Sequence, residues 1–145
     1  MSSLLTDKFL DKKYEGMPWK AVAVAPVSAI RGVSDNDHRD LAEAFGVDTV
    51  QDLALNEYVL LAQGINAFSK ASGVIFDKTF RSKEYLALRK KPVHAIAGVS
   101  AMDAALLKRA FGIDTIQELA ENKYICIAQT IMTLAFLEDL ASQMD

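Results

Sequence analysis

Asp35, Asp37 and His38 bring two carboxylates and an imidazole together in the chain. An Asp-x-Asp-His group has the donor types for a divalent cation or for general acid–base work. Its spacing matches neither H-x-x-x-H nor H-E-x-x-H. At the start of a helix the two carboxylates already have a physical reason to be there, because they favour the positive end of the helix dipole. The other histidine, His94, is not the repeat partner of His38, and both read as surface or helix-capping residues. Cys126 is the single cysteine. Lying between Ile125 and Ile127, it reads as a small buried hydrophobe and not as a nucleophile. No nucleophile elbow, P-loop or dinucleotide fingerprint is written in the chain. These residues predict no catalysis, no metal and no cofactor.

Gln63 and Gln129 are the remaining polar residues of note, because each interrupts an apolar helical stretch. A buried amide needs hydrogen-bond partners, and the ends of neighbouring helices are expected to supply them. The two glutamines are repeat partners. Pro26–Ile65 and Pro92–Ile131 align without a gap over 40 positions with 22 identities, 66 residues apart. The likeness continues faintly upstream, where Tyr14 faces Phe80 and Trp19 faces Tyr85. The chain therefore divides into a first repeat over 1–74 (core motif 26–65) and a second over 75–145 (core motif 92–131).

Each repeat reads as helices with short connectors. Ser34-x-x-Asp37 and Ser100-x-x-Asp103 are capping boxes, as are Thr49-x-x-Asp52 and Thr115-x-x-Glu118. Gly46 and Gly112 follow Phe45 and Phe111, where a left-handed C-cap favours glycine. Asn56 and Asn122 are placed to cap a long third helix, and Pro26 and Pro92 suit the first turn of a short helix before each Gly-Val-Ser. Ala21–Ala25 has the composition of a strand, but its repeat partner Ala87–Lys91 is helical in character, so both are read as helical. The expected fold is all-α, with the two repeats packed pseudo-symmetrically into one domain.

The string G-V-S-x-x-D-x-x-x-L-x-x-A-F-G-[VI]-D-T-[VI]-x-[DE]-L-A resembles the helix-hairpin-helix superfamily, and most closely the branch with a G-I-x-T-[IV]-x-[DE]-L-A signature. The resemblance covers the two core motifs and implies a tandem helix-hairpin-helix domain. Nucleic-acid-binding members carry Gly-hydrophobic-Gly, whose backbone amides approach a phosphate. Here Gly32 and Gly98 keep the first glycine, while Ser34 and Ser100 replace the second. The added Cβ resists a left-handed backbone by roughly 1–2 kcal/mol and crowds a phosphate. Asp35, Asp37, Asp40 and Glu43 then place acid on the first hairpin, opposed only by Arg31 and Arg39. The second hairpin is less hostile to a phosphate, through Gly98, Arg89, Lys90, Lys91, Lys108 and Arg109. A net charge of −3 gives little general attraction to nucleic acid.

Ala101, Met102, Ala105 and Leu106 make the second hairpin face apolar where the first is acidic, and they are the expected partner-binding residues. The last helix has apolar side chains on more than one face from Tyr124 to Leu137, and is expected to be buried on more than one side. No apolar run approaches the roughly 20 residues that span a bilayer, and the opening lacks a signal-peptide pattern. With one cysteine and so no internal disulfide, the chain is expected in the cytoplasm, away from membranes. The expected role is a non-enzymatic interaction module that binds a protein partner or forms a homodimer. One alternative is a small-molecule or cofactor-binding protein with an apolar groove between repeats, lined by Trp19/Tyr85, Tyr14/Phe80 and Tyr58/Tyr124. The other is sequence-independent nucleic-acid binding through the second hairpin.

Overall fold

The computed structural model describes residues 3–75 and 87–144. In chain order the helices are α1 (Ser3–Phe9), α2 (Trp19–Ala23), α3 (Asp35–Phe45), α4 (Val50–Leu55), α5 (Glu57–Ile75), α6 (Ala101–Phe111), α7 (Ile116–Glu121) and α8 (Lys123–Gln143). No strand occurs among the described residues, and the fold is all-α as expected. Phe80 and Tyr85 lie outside the described residues.

Local chemistry accounts for the boundaries. All four predicted capping boxes form, each with the side-chain oxygen of Ser34, Ser100, Thr49 or Thr115 accepting from the amide three residues on, and the carboxylate there accepting in return. Gly46 and Gly112 end α3 and α6 at φ 69° and 72°, the left-handed values that release a chain from a helix without a Cβ penalty. Asn56 Oδ1 accepts from the amides of Tyr58 and Val59, and Asn122 Oδ1 from those of Tyr124 and Ile125, so both long helices start as predicted. Ala21–Ala25 contributes to α2, which stops at Ala23. Leu88–Lys90 is a 3-10 turn. Pro26 and Pro92 stand one place ahead of the short 3-10 turns Val27–Ala29 and Val93–Ala95 rather than inside them.

The helices pack by exchange between repeats: α3 lies against α6, α4 against α8, and α5 against α7. One continuous apolar core results. It holds Val22, Val27, Ile30, Leu41, Val50 and Leu53 from the first repeat together with Leu107, Ile113, Ile116, Leu119, Ile125 and Ile131 from the second. Each such side chain contributes about 1.5–3 kcal/mol by leaving water.

At the centre of this exchange Gln63 of α5 meets Gln129 of α8. Gln63 Nε2 donates to Gln129 Oε1 at 2.9 Å and to the Ala120 carbonyl at 3.2 Å. Gln129 Nε2 donates to Gln63 Oε1 at 2.8 Å and to the Ala54 carbonyl at 3.2 Å. Each amide thus places both donors and accepts once. Each also answers a carbonyl near the end of a short helix, where no intrahelical partner remains.

α2 has no cap of its own, because Pro18 at its N-cap supplies no side-chain acceptor. Glu138 on α8 replaces it: Oε2 accepts from the Trp19 amide at 2.9 Å and Oε1 from the Lys20 amide at 2.8 Å. Glu138→Ala is therefore expected to destabilise the fold by about 1–2 kcal/mol, as loss of a helix cap does. The measurement is chemical denaturation followed by circular dichroism, and an unchanged midpoint would contradict it.

Candidate functional site

The two Gly-Val-Ser turns are the parts of the molecule where function was expected, and each is built on by the other repeat. Gly32 and Gly98 have φ 96° and 95°. A Cβ on Gly98 would stand 2.6 Å from Tyr58 Oη, and one on Gly32 would stand 2.8 Å from Tyr124 Oη. The tyrosines are held in place by tilted ring contacts, Tyr58 with Phe45 at 4.9 Å and Tyr124 with Phe111 at 4.8 Å. A repeat's glycine is required, therefore, by the other repeat's tyrosine as well as by its own backbone. These contacts occupy Tyr58 and Tyr124, two of the aromatics expected to line a ligand groove.

Beyond the shared turns, the surfaces of α3 and α6 differ. In the first repeat the His38 ring reaches Asp48, Nε2 to Oδ1 at 3.3 Å. Ala104 stands at the equivalent place in the second repeat and cannot fill the same space. A groove of about 440 Å³ opens there, bordered by Pro92, His94, Ala101, Ala104, Ala105 and Lys108 among others. On the same helix, but not lining the groove, Met102 is 68% exposed. Ala101 and Ala105 are exposed beside it, in the places that Asp35 and Arg39 hold in the first repeat.

Leu106 does not join this patch. It is 8% exposed, and its repeat partner Asp40 is 4% exposed. The position is buried in both repeats, since it lies one helical turn in on the side where α3 and α6 meet. Asp40 is accommodated there by Arg109, whose Nε and Nη2 donate to the two carboxylate oxygens at 2.9 and 2.6 Å. That ion pair links the repeats and has no sequence signal, because neither residue is matched by charge in the other copy.

The six residues singled out for a phosphate are not equally free. Arg109 is committed to Asp40, and Lys108 Nζ donates to Asp114 at 2.6 Å. Lys90, Lys91 and Gly98 are exposed and Arg89 is half-buried. Asp35 and Asp37 sit in the first turn of α3, where the Asp37 carboxylate accepts from the Ser34 amide at 3.0 Å.

Several carboxylates are held below their ordinary range. The Arg109 guanidinium lowers Asp40, backbone amides at Thr49 and Asp48 lower Asp52, and Lys70 with Asn66 lowers Glu121. A depressed carboxylate stabilises the folded state above its unfolded pKa, and that stability is lost as pH falls through the folded value. Glu15 runs the other way, because its hydrogen bond with Asp7 raises it. Stability is expected to be level through neutral pH and to fall below the ordinary Asp/Glu range. Asp40→Asn should flatten part of that fall, as read from thermal melts across the acid range.

The long helix α8 departs furthest from expectation. Ile125, Ala128, Ile131 and Ala135 are buried, but only this one face is. Cys126 is exposed, as are Phe136 (64%), Leu137 (49%), Leu140 (42%) and Met144 (79%). By length and composition α8 is also apolar enough to cross a membrane, with a mean hydropathy of 1.4 over its best window. In the fold its inner face serves as core. Beside its N-terminal half a small groove of about 210 Å³ is lined by Phe9, Trp19, Cys126, Ile127, Thr130 and Leu134 among others. Comparison with protein-family models, with curated proteins and with solved structures finds no match to this chain.

Proposed function

We propose that this chain is a non-enzymatic helical interaction module, built from two helix-hairpin-helix-like units related by pseudosymmetry, that binds a protein partner or its own copy. The pairing of units is supported by contacts that recur 66 residues on: Gln63 with Gln129, and Tyr58 on Gly98 answered by Tyr124 on Gly32. The observation that carries the function is the contrast between the two turn faces. Met102, 68% exposed and flanked by exposed Ala101 and Ala105, stands where the first repeat presents Asn36 between Asp35 and Arg39. An exposed large apolar side chain next in sequence to Ala101, which with Ala105 lines an open groove, offers a partner an apolar contact and a place to insert its own. A photo-crosslinking residue at position 102 is expected to give a discrete adduct in the native cell, lost when Ala105→Asp is added. The same residue at position 36 is the control. No adduct at 102, or equal labelling at 36, would remove this reading.

A small apolar ligand is the second reading, favoured by the groove that Phe9, Trp19 and Leu134 help to line. Trp19 is the sole tryptophan. It is already only 7% exposed, so an apolar probe filling the groove should be read as a change in its emission intensity, with a rise in melting temperature set by the probe's affinity.

A further inference from the structure

The outward face of α8 is a seam. Cys126, Thr130, Thr133, Leu137, Leu140 and Met144 follow one another at alternating steps of four and three, and all six are exposed. That alternation keeps residues in line along a helix, and it is the spacing by which one helix lies along another. The buried residues Ile125, Ala128, Ile131 and Ala135 occupy the opposite side. A helix apolar on both sides is a helix buried on both sides, and in the single chain only one side is covered.

We propose that the seam is covered by the same seam of a second copy, in a helix-to-helix homodimer. This rests on the interaction-module reading and names the partner at a second surface, distinct from Met102. Four observations select a copy of this chain. First, the stripe is apolar even at its threonines. Thr130 Oγ1 donates to the Cys126 carbonyl at 2.8 Å and Thr133 Oγ1 to the Gln129 carbonyl at 3.1 Å, so each hydroxyl is already bonded to its own helix.

Second, the stripe carries no charge, so two copies meet without an unpaired ion, whereas a charged partner would find none to answer it. The acids of this half, Glu138 and Asp139, are engaged with the Trp19 and Lys20 amides and with Lys20 Nζ. Between Cys126 and Met144 there is no lysine or arginine, and that is the opposite of a helix made to lie on an anionic lipid surface.

Third, the size suits a modest dimer. The stripe runs about 27 Å along the helix. With Leu137, Leu140 and Met144 of the stripe leaving 49%, 42% and 79% of their surface in water, each copy can contribute on the order of 600 Å², the lower edge of a specific interface. Fourth, the chain already pairs equivalent elements, α3 with its counterpart α6 and Gln63 with Gln129.

The test is sedimentation equilibrium of the full chain from micromolar to millimolar concentration. The expected result is a mass rising from 15.9 kDa towards twice that value. Leu137→Asp and Leu140→Asp, at exposed positions, should each weaken association at least tenfold while leaving the melting curve of the dilute monomer unchanged, since only the dimer adds stability by mass action. Where the helices run parallel and position 137 faces its own copy, mixing Leu137→Lys with Leu137→Glu chains should restore the two-chain mass. Cys126, within the stripe, reports the orientation, since a short bis-maleimide links two copies readily only where the helices run parallel.

A chain that stays at one mass throughout overturns the proposal, and a position-102 adduct in that case leaves the interaction-module reading standing. A dimer lost with Met102→Asp but indifferent to Leu137→Asp also overturns it, by moving self-association to the turn face. So does flotation of the wild-type monomer with phosphatidylcholine vesicles that Leu137→Asp abolishes.

Discussion

Gly98→Ala is expected to destabilise this protein by about 3 kcal/mol, and Gly32→Ala by a similar amount. Two physical causes add. At φ 95° an L-residue is strained, which contributes roughly 1–2 kcal/mol. The new methyl would also stand 2.6 Å from Tyr58 Oη and 3.2 Å from the nearest ring carbons, so the tyrosine must move. It cannot do so freely, because its ring is packed on Phe45 at 4.9 Å. A double-mutant cycle separates the causes. In a Tyr58→Phe background the closest clash is gone, and Gly98→Ala should cost about 1 kcal/mol less than in the wild type. Denaturation midpoints of the four proteins check it. Full additivity would mean that backbone strain alone makes this glycine necessary, and that the contact between repeats is incidental. Gly46 or Gly112 makes a useful comparison, because nothing lies within 4 Å of a Cβ built there. Alanine at those positions should show the conformational cost by itself.

Breaking the glutamine pair is expected to have the other large effect. Gln63→Leu removes three hydrogen bonds at once: two shared with Gln129, and one to the Ala120 carbonyl. Gln129 keeps its bond to the Ala54 carbonyl but is left with one donor and its oxygen unanswered in a part-buried site. A loss of about 2–3 kcal/mol follows, because an orphaned polar group forfeits its hydration without recompense. Gln129→Leu should match it, since the contacts are reciprocal. The double substitution is expected to fall well short of the sum, as the second leucine removes the very group that the first one orphaned. Urea denaturation of the three variants measures this. A double variant as unstable as the sum would show that each glutamine acts through its carbonyl alone. Such a result would also weaken the case for the pair as the link that sets how the two repeats dock.

Helix content and boundaries could be read from the chain because they depend on neighbours. A capping box needs only Ser34 and Asp37, three residues apart, and a left-handed C-cap needs only Gly46. The same holds for Asn56 and Asn122, whose side chains bond amides two and three residues away. The duplication was equally legible, being a property of the letters alone. It also pointed to Gln63 and Gln129 as residues needing partners, and to helix ends as the source. That each would be the other's partner was beyond the sequence, because it depends on α5 and α8 passing at that point.

The tertiary structure decided what is covered and what is not. A run such as Ile125-Cys126-Ile127 announces an apolar helix, but exposure depends on which neighbours arrive. Only the face with Ile125 and Ala128 meets them, so Cys126 stays in water where local composition suggested burial. Leu106 went the other way, buried on the α6 side that meets α3, though its letters matched those of exposed Met102. Charge pairing was equally out of reach. Arg109 finds Asp40 across 69 positions and Glu138 caps α2 across 119, and no spacing rule links residues so distant. Capping and periodicity are short-range and written in order along the chain. Burial and ion pairing are set when separate helices meet, and only the fold determines which ones do.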